Sequence, residues 1–373
     1  MPNMFAMSFE GPLAPCIELQ CLRQTAGSGS ARIPDGWGIG YYPGGEPSAS
    51  VLKEPAPPEG SIRSELIKAW EHLESSLFLL HIRTATWGSI SDANTQPFSR
   101  SWGRRDWLLC HSGSLTRRPP DDRGLFEPVG STDTEQLFCN LLGRFAERGW
   151  KSLADVDLGV LRDWLDVLDD DGGLTIALTD GRDLVVYADR DVEGSLYLGT
   201  IAPPYDRAVF GDDDLVLDLG ARGTKSRKGV IVSSTPLAVV PAGDADAAAA
   251  EADAAITWTQ VPAGSLLAIR QGAVVAQHDP PAAGATPRAS LVAPAPKRRR
   301  PRSRYTPPVR ARRARRLHAR HGHGQHPRDQ SDALQEPALR SDDRLRADLA
   351  VRDAAERAGR QSEHRGEHGP RAD

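Results

Sequence analysis

The segment Leu77-Phe78-Leu79-Leu80-His81-Ile82-Arg83-Thr84-Ala85-Thr86 decides the reading of this chain: an apolar run that ends in a histidine, an arginine and two threonines. The run predicts a strand over residues 77–82, and similar runs separated by Gly and Pro turns predict strands over 3–8, 38–42, 107–111, 174–178 and 184–188. The last two flank Asp180-Gly181, a turn pair that predicts a hairpin. Apolar residues three and four apart predict helices over 61–76, 133–148 and 158–168. Further strands are expected over 231–240, 265–269 and 272–276, and a loop or short exposed helix over 242–255. Strands with helices between them imply stacked sheets covered by helices, in a body that ends near Gln277.

Four other segments frame the first in a fixed order: Asp35-Gly36-Trp37-Gly38, Asn94-Thr95-Gln96-Pro97-Phe98, His111-Ser112-Gly113 and Gly130-Ser131-Thr132-Asp133-Thr134-Glu135. Together the five resemble the class-II glutamine amidotransferase domain. The resemblance implies an α+β fold, a four-layer αββα sandwich of the N-terminal-nucleophile hydrolase type. It also implies a cysteine nucleophile at residue two, exposed when the initiator Met is removed, with its own α-amine as base.

By the same resemblance Arg83 clamps the α-carboxylate of glutamine, a bidentate task suited to a guanidinium. Asp133 pairs with the α-ammonium, Thr86 belongs to the substrate site, and Gly113 supplies a backbone donor to the oxyanion hole. Each has a plainer reading: Arg83 as a framework arginine ending a strand, Asp133 as a helix N-cap. His111 reads as a buried structural histidine beside the hole, not a general base. The Asp35–Gly38 turn lacks phosphate-loop spacing and reads as part of the rim.

Three positions depart from the family pattern. Pro2 stands at the nucleophile position, Ser112 replaces the asparagine of the hole, and Gln96 stands where relatives carry histidine. Loss of one oxyanion donor typically costs about 10²–10³ in rate. Cys16 and Cys21 follow no initiator Met, so neither unites a thiol with a free α-amine. Starting at Met7 would expose Ser8 but delete the first strand. Three readings follow: a domain without ordinary glutaminase activity that keeps an amino-acid or amide pocket; an active amidohydrolase or amidotransferase using altered chemistry such as the Pro2 amine; or a structural or partner-binding module.

The chain has 373 residues and 39% hydrophobic content, enough for a sizeable core. Its formal charge of −4 hides a division: from Lys297 onward lie 21 of the 46 Lys and Arg but 11 of the 50 Asp and Glu. The tail therefore carries about +10 and the body about −14. Residues 1–279 are expected to form the amidotransferase-like domain, 280–296 a Pro/Ala-rich linker, and 297–373 a disordered Arg-rich tail. That tail could touch nucleic acid without specificity; its unpatterned text is also what a shifted reading frame in GC-rich coding sequence would give. Its histidines, His318, His321, His323 and His326, lack a second shell, so no metal is expected, and no cofactor. Four cysteines without CxxC spacing fit a reducing cytoplasm, and no signal peptide or membrane span is legible.

Overall fold

The computed structural model describes residues 3–20, 33–84, 86, 88–117, 124–205, 208–223, 225–240 and 256–280. The chain divides into Met1–Lys297 and Arg298–Asp373, and the second unit, with the expected tail, lies outside the described residues. So do residues 242–255, for which a loop or helix was expected.

The elements run β1 (Asn3–Leu13), β2 (Cys16–Leu19), β3 (Gly36–Tyr41), β4 (Ser50–Glu54), α1 (Ile62–Ala69), β5 (Ser75–Arg83), β6 (Phe98–Trp102) and β7 (Arg105–Leu115). They continue through α2 (Asp133–Arg148), α3 (Leu158–Asp169), β8 (Gly172–Thr179), β9 (Asp183–Tyr187), β10 (Tyr197–Ile201), β11 (Val209–Gly211) and β12 (Leu215–Asp218). The last are β13 (Gly229–Ser233), β14 (Ala238–Val239), β15 (Ile256–Gln260), β16 (Leu266–Arg270) and β17 (Ala273–His278).

One sheet has seven strands in the order β15-β10-β13-β1-β5-β3-β4, a second six in the order β17-β16-β9-β8-β7-β6, and a third four, β14-β11-β12-β2. Leu77, Leu79, Leu108, Cys110, Val186 and Leu267 fill the core between the two large sheets. Phe138, Leu141, Phe145, Trp164 and Leu165 pack α2 and α3 onto the outer face of the six-stranded sheet. Phe78, Leu80, Ile17, Leu217 and Ile67 join the other face of the seven-stranded sheet to α1 and the small sheet. Each fully buried Leu or Phe contributes about 1.5–3 kcal/mol of transfer free energy, so the three cores hold the layers together. The result is the expected αββα sandwich, with the small sheet sharing one outer layer with α1.

Three local expectations are corrected. The helix expected over 61–76 stops at Ala69, because Ser75 Oγ accepts from the amides of Tyr42 and Leu77 and starts β5 there. The strand expected over 231–240 ends at Ser233, and β14 covers two residues further on. Asp133 is not the N-cap of α2: Thr132 is, its side chain accepting from the Glu135 amide at 3.2 Å.

Candidate functional site

Alternation along β5 aims Leu77 and Leu79 into the core between the large sheets, and His81 and Arg83 continue that face to the end of the strand. Across the register stand Met4 and Gly38 opposite His81, and Gly36 opposite Arg83. β1 thus begins beside the end of β5, with Asn3 opposite Ile82; Pro2, one peptide bond earlier, lies outside the described residues. Arg83 is 4% exposed, and its Nη1 donates to Asp35 Oδ1 at 2.9 Å, so the rim turn read from sequence holds the guanidinium in place.

The opposite wall is β7 and the start of α2. The His111 amide donates to Gln96 Oε1 at 2.7 Å, and Gln96 Nε2 donates back to the His111 carbonyl at 3.1 Å. Gln96 therefore locks its loop to β7 through both backbone groups of one residue. The His111 ring is tied at both ends, Nε2 donating to the Gly173 carbonyl at 3.0 Å and Nδ1 meeting Thr134 Oγ1 at 2.9 Å. A carbonyl only accepts, so the proton sits on Nε2; burial depresses the pKa and keeps the ring neutral. Asp133 accepts from the Leu115 amide at 2.7 Å and the Thr134 amide at 2.9 Å, fastening α2 to β7. Gly113, at φ +136°, is required: a Cβ there would lie 2.1 Å from the Gly173 carbonyl oxygen.

Two buried polar residues brace the rim. Asn94 Nδ2 donates to the Ser89 carbonyl at 2.9 Å while its Oδ1 accepts from the Ser131 amide at 2.7 Å, joining two loops. Gly130 permits this approach, since a Cβ would meet Asn94 Oδ1 at 2.3 Å. Glu135 accepts from the amides of Val129 and Gly130 and from Arg100. The motifs flagged both residues but not these roles, which depend on loops meeting in space.

Between the walls lies a narrow cleft of about 30 Å³, open to solvent, lined by His81, Arg83, Thr86, Gln96, Gly113 and Asp133 among others. Of the candidate residues from sequence, Arg83, Thr86, Gly113 and Asp133 come together here. Thr86 is exposed, its Oγ1 2.7 Å from Ser114 Oγ. Ser112 is half-buried and does not line the pocket. The described cysteines stand elsewhere: Cys16 Sγ contacts the Lys68 carbonyl, Cys139 is on α2, and Cys110 is buried with its thiol pKa pushed up by desolvation. Among the described residues no three His, Cys, Asp or Glu gather as a metal-binding group, and no helix is long and apolar enough to cross a membrane.

Comparison with known proteins points one way. The sequence pattern of the class-II glutamine amidotransferases matches residues 1–292. MJ1515 of Methanocaldococcus jannaschii, a protein without an assigned function, is 32% identical over 207 residues, 55% of this chain. The match spans 56% of that relative, little more than half its length. YafJ of Escherichia coli K12, named as a candidate glutamine amidotransferase, is 29% identical over 239 residues, covering 64% of this chain and 91% of its own. The crystal structure of a predicted glutamine amidotransferase from Pseudomonas aeruginosa superposes with a TM-score of 0.56 at 26% identity, covering 74% of this chain and 99% of the other.

Proposed function

The chain belongs to the class-II glutamine amidotransferase family, and on that premise we propose that its pocket binds glutamine or a related amino acid or amide without ordinary glutamine hydrolysis. The observation that carries this is the convergence of a buried, pre-aligned Arg83 and a buried Asp133 on one cavity. A zwitterionic amino acid presents a carboxylate and an ammonium, and these two side chains are complementary to that pair.

The chemical step is where support fails. Glutamine hydrolysis needs a nucleophile next to the amide carbon and two donors for the oxyanion. The residue before Asn3 is proline, none of the described cysteines lines the pocket, and Ser112 is absent from its lining. His111 is no substitute base, because both ring nitrogens are committed to the framework. In this proposal residues 1–279 form the binding domain, and 280–296 and 297–373 a linker and basic tail that take no part in it.

Ammonia release from glutamine by the full chain, run beside a Pro2→Cys, Ser112→Asn double variant, tests the reading. The wild type is expected to release none and the variant to gain turnover. Ammonia from the wild type would sink the proposal and favour altered chemistry.

A further inference from the structure

Helix α1 carries apolar residues on both of its sides. Ser64 and Ile67 face the body of the domain and are buried. On the opposite side Ile62, Leu66 and Ala69 are exposed, and Trp70 at the C-cap continues them. Ile62 is 86% exposed, Leu66 52% and Trp70 37%. At 3.6 residues per turn the four positions fall within an arc of about 100°, the width of the stripe that a helix ordinarily turns toward a core. The stripe runs into a shallow groove formed by Leu66, Ala69, Trp70, Glu71 and His72. Exposed apolar side chains scattered singly are ordinary, whereas three large ones aligned along a two-turn helix and its cap mark a surface that something covers.

The charges beside the stripe select the occupant. Arg63 and Lys68 are offset by Glu65 and Glu71, so the face has no net charge with which to attract a polyanion or an anionic membrane. A two-fold pair demands instead that a face be complementary to itself, each residue before the midpoint meeting its complement after it. Helix α1 meets that demand about a midpoint between Leu66 and Ile67, because Glu65 and Lys68 stand symmetrically on either side of it along one flank of the stripe. The Lys68 ammonium lies 2.8 Å from Glu18, and as a triple donor on a side chain 42% exposed it can take a second carboxylate.

We infer that α1 is the contact face between two copies of this chain, packed antiparallel about a two-fold axis, with Leu66 at the axis and Glu65 of each copy paired with Lys68 of the other. Ile62 of one copy then lies beside the Trp70 end of the other. The helix is about 12 Å long, a small contact by the measure of stable dimers, so association is expected in the micromolar range. The inference goes beyond the amino-acid reading and is independent of it, since none of these residues lines the cleft.

The test is analytical ultracentrifugation of the full chain across the micromolar range, beside Leu66→Glu, Glu65→Lys, Lys68→Glu and the Glu65→Lys, Lys68→Glu double variant, with the melting temperature of each. The wild type is expected to pass from monomer to dimer as concentration rises. Leu66→Glu should abolish the dimer and leave the melting temperature of the monomer unchanged. Each single charge change sets like charges across the axis and should weaken the dimer about tenfold or more. The double variant restores opposite charges in both pairs and should recover most of the association. A wild type that stays monomeric overturns the inference. So does a dimer that survives Leu66→Glu, which would place the contact on another face. A fall in the monomer melting temperature of Leu66→Glu also overturns it, since another part of this chain would then cover the stripe. If the double variant associates no better than the single ones, the antiparallel pairing fails and the inference with it.

Discussion

The two walls of the pocket are built differently. On the β7–α2 wall the polar groups are anchored within the protein: His111 at both nitrogens, its backbone by Gln96, and each Asp133 oxygen by one amide, which leaves that carboxylate further acceptor sites. On the β5 wall Arg83 is steadied by Asp35, and His81 is left without a hydrogen-bond partner among the described residues. The many-bonded wall holds shape, and the β5 wall is held at fewer points. The contrast also separates two groups that look alike in sequence, a histidine committed to the framework and a histidine that is not.

Removing the keystone of the many-bonded wall should have the largest effect. Asp133→Ala leaves the buried Leu115 amide and the Thr134 amide without their acceptor, and should cost about 3 kcal/mol in urea denaturation at neutral pH. A loss under about 0.5 kcal/mol would mean that Asp133 is not part of the framework.

A smaller effect separates the histidines by pH. His81 titrates near 3 folded and near 6.5 unfolded. Between those values the unfolded chain holds a proton that the folded chain refuses, so stability falls as pH falls from 6.5 toward 3. His111, also depressed by burial, acts in the same direction. Asp169, raised to about 6 by burial, acts oppositely between its ordinary value and 6. Because those two groups persist in His81→Leu, denaturation at pH 7, 6 and 5 should give the wild type a steeper acid loss, by about 1.4 kcal/mol per unit below 6.5. Parallel curves for the two proteins would mean that His81 is not held neutral.

Much of this architecture is legible in the sequence because the apolar runs carry it. Residues 77–82 and 107–111 fall inside β5 and β7, and the Asp180-Gly181 turn does join β8 to β9. The strands that were not read, among them β2, β4, β11 and β12, are too short to show a clear alternation, and β2 finds its partner β12 far along the chain. The α1 boundary was misjudged because Leu73 keeps helical spacing but packs into the core after the chain has turned at Trp70. At the site, motif order brought Arg83, Thr86, Gly113 and Asp133 into view. It could not reveal that Gln96 closes on His111 or that His81 has no hydrogen-bond partner among the described residues, because those facts lie in contacts between strands.

Calorimetric titration of glutamine into the full chain and its Arg83→Lys variant bears most directly on the pocket. Saturable one-site binding by the wild type, weakened roughly tenfold when the planar fork is replaced by a point charge, is the expected result. No binding by the wild type, or equal binding by Arg83→Lys, would contradict an amino-acid pocket built on the end of β5.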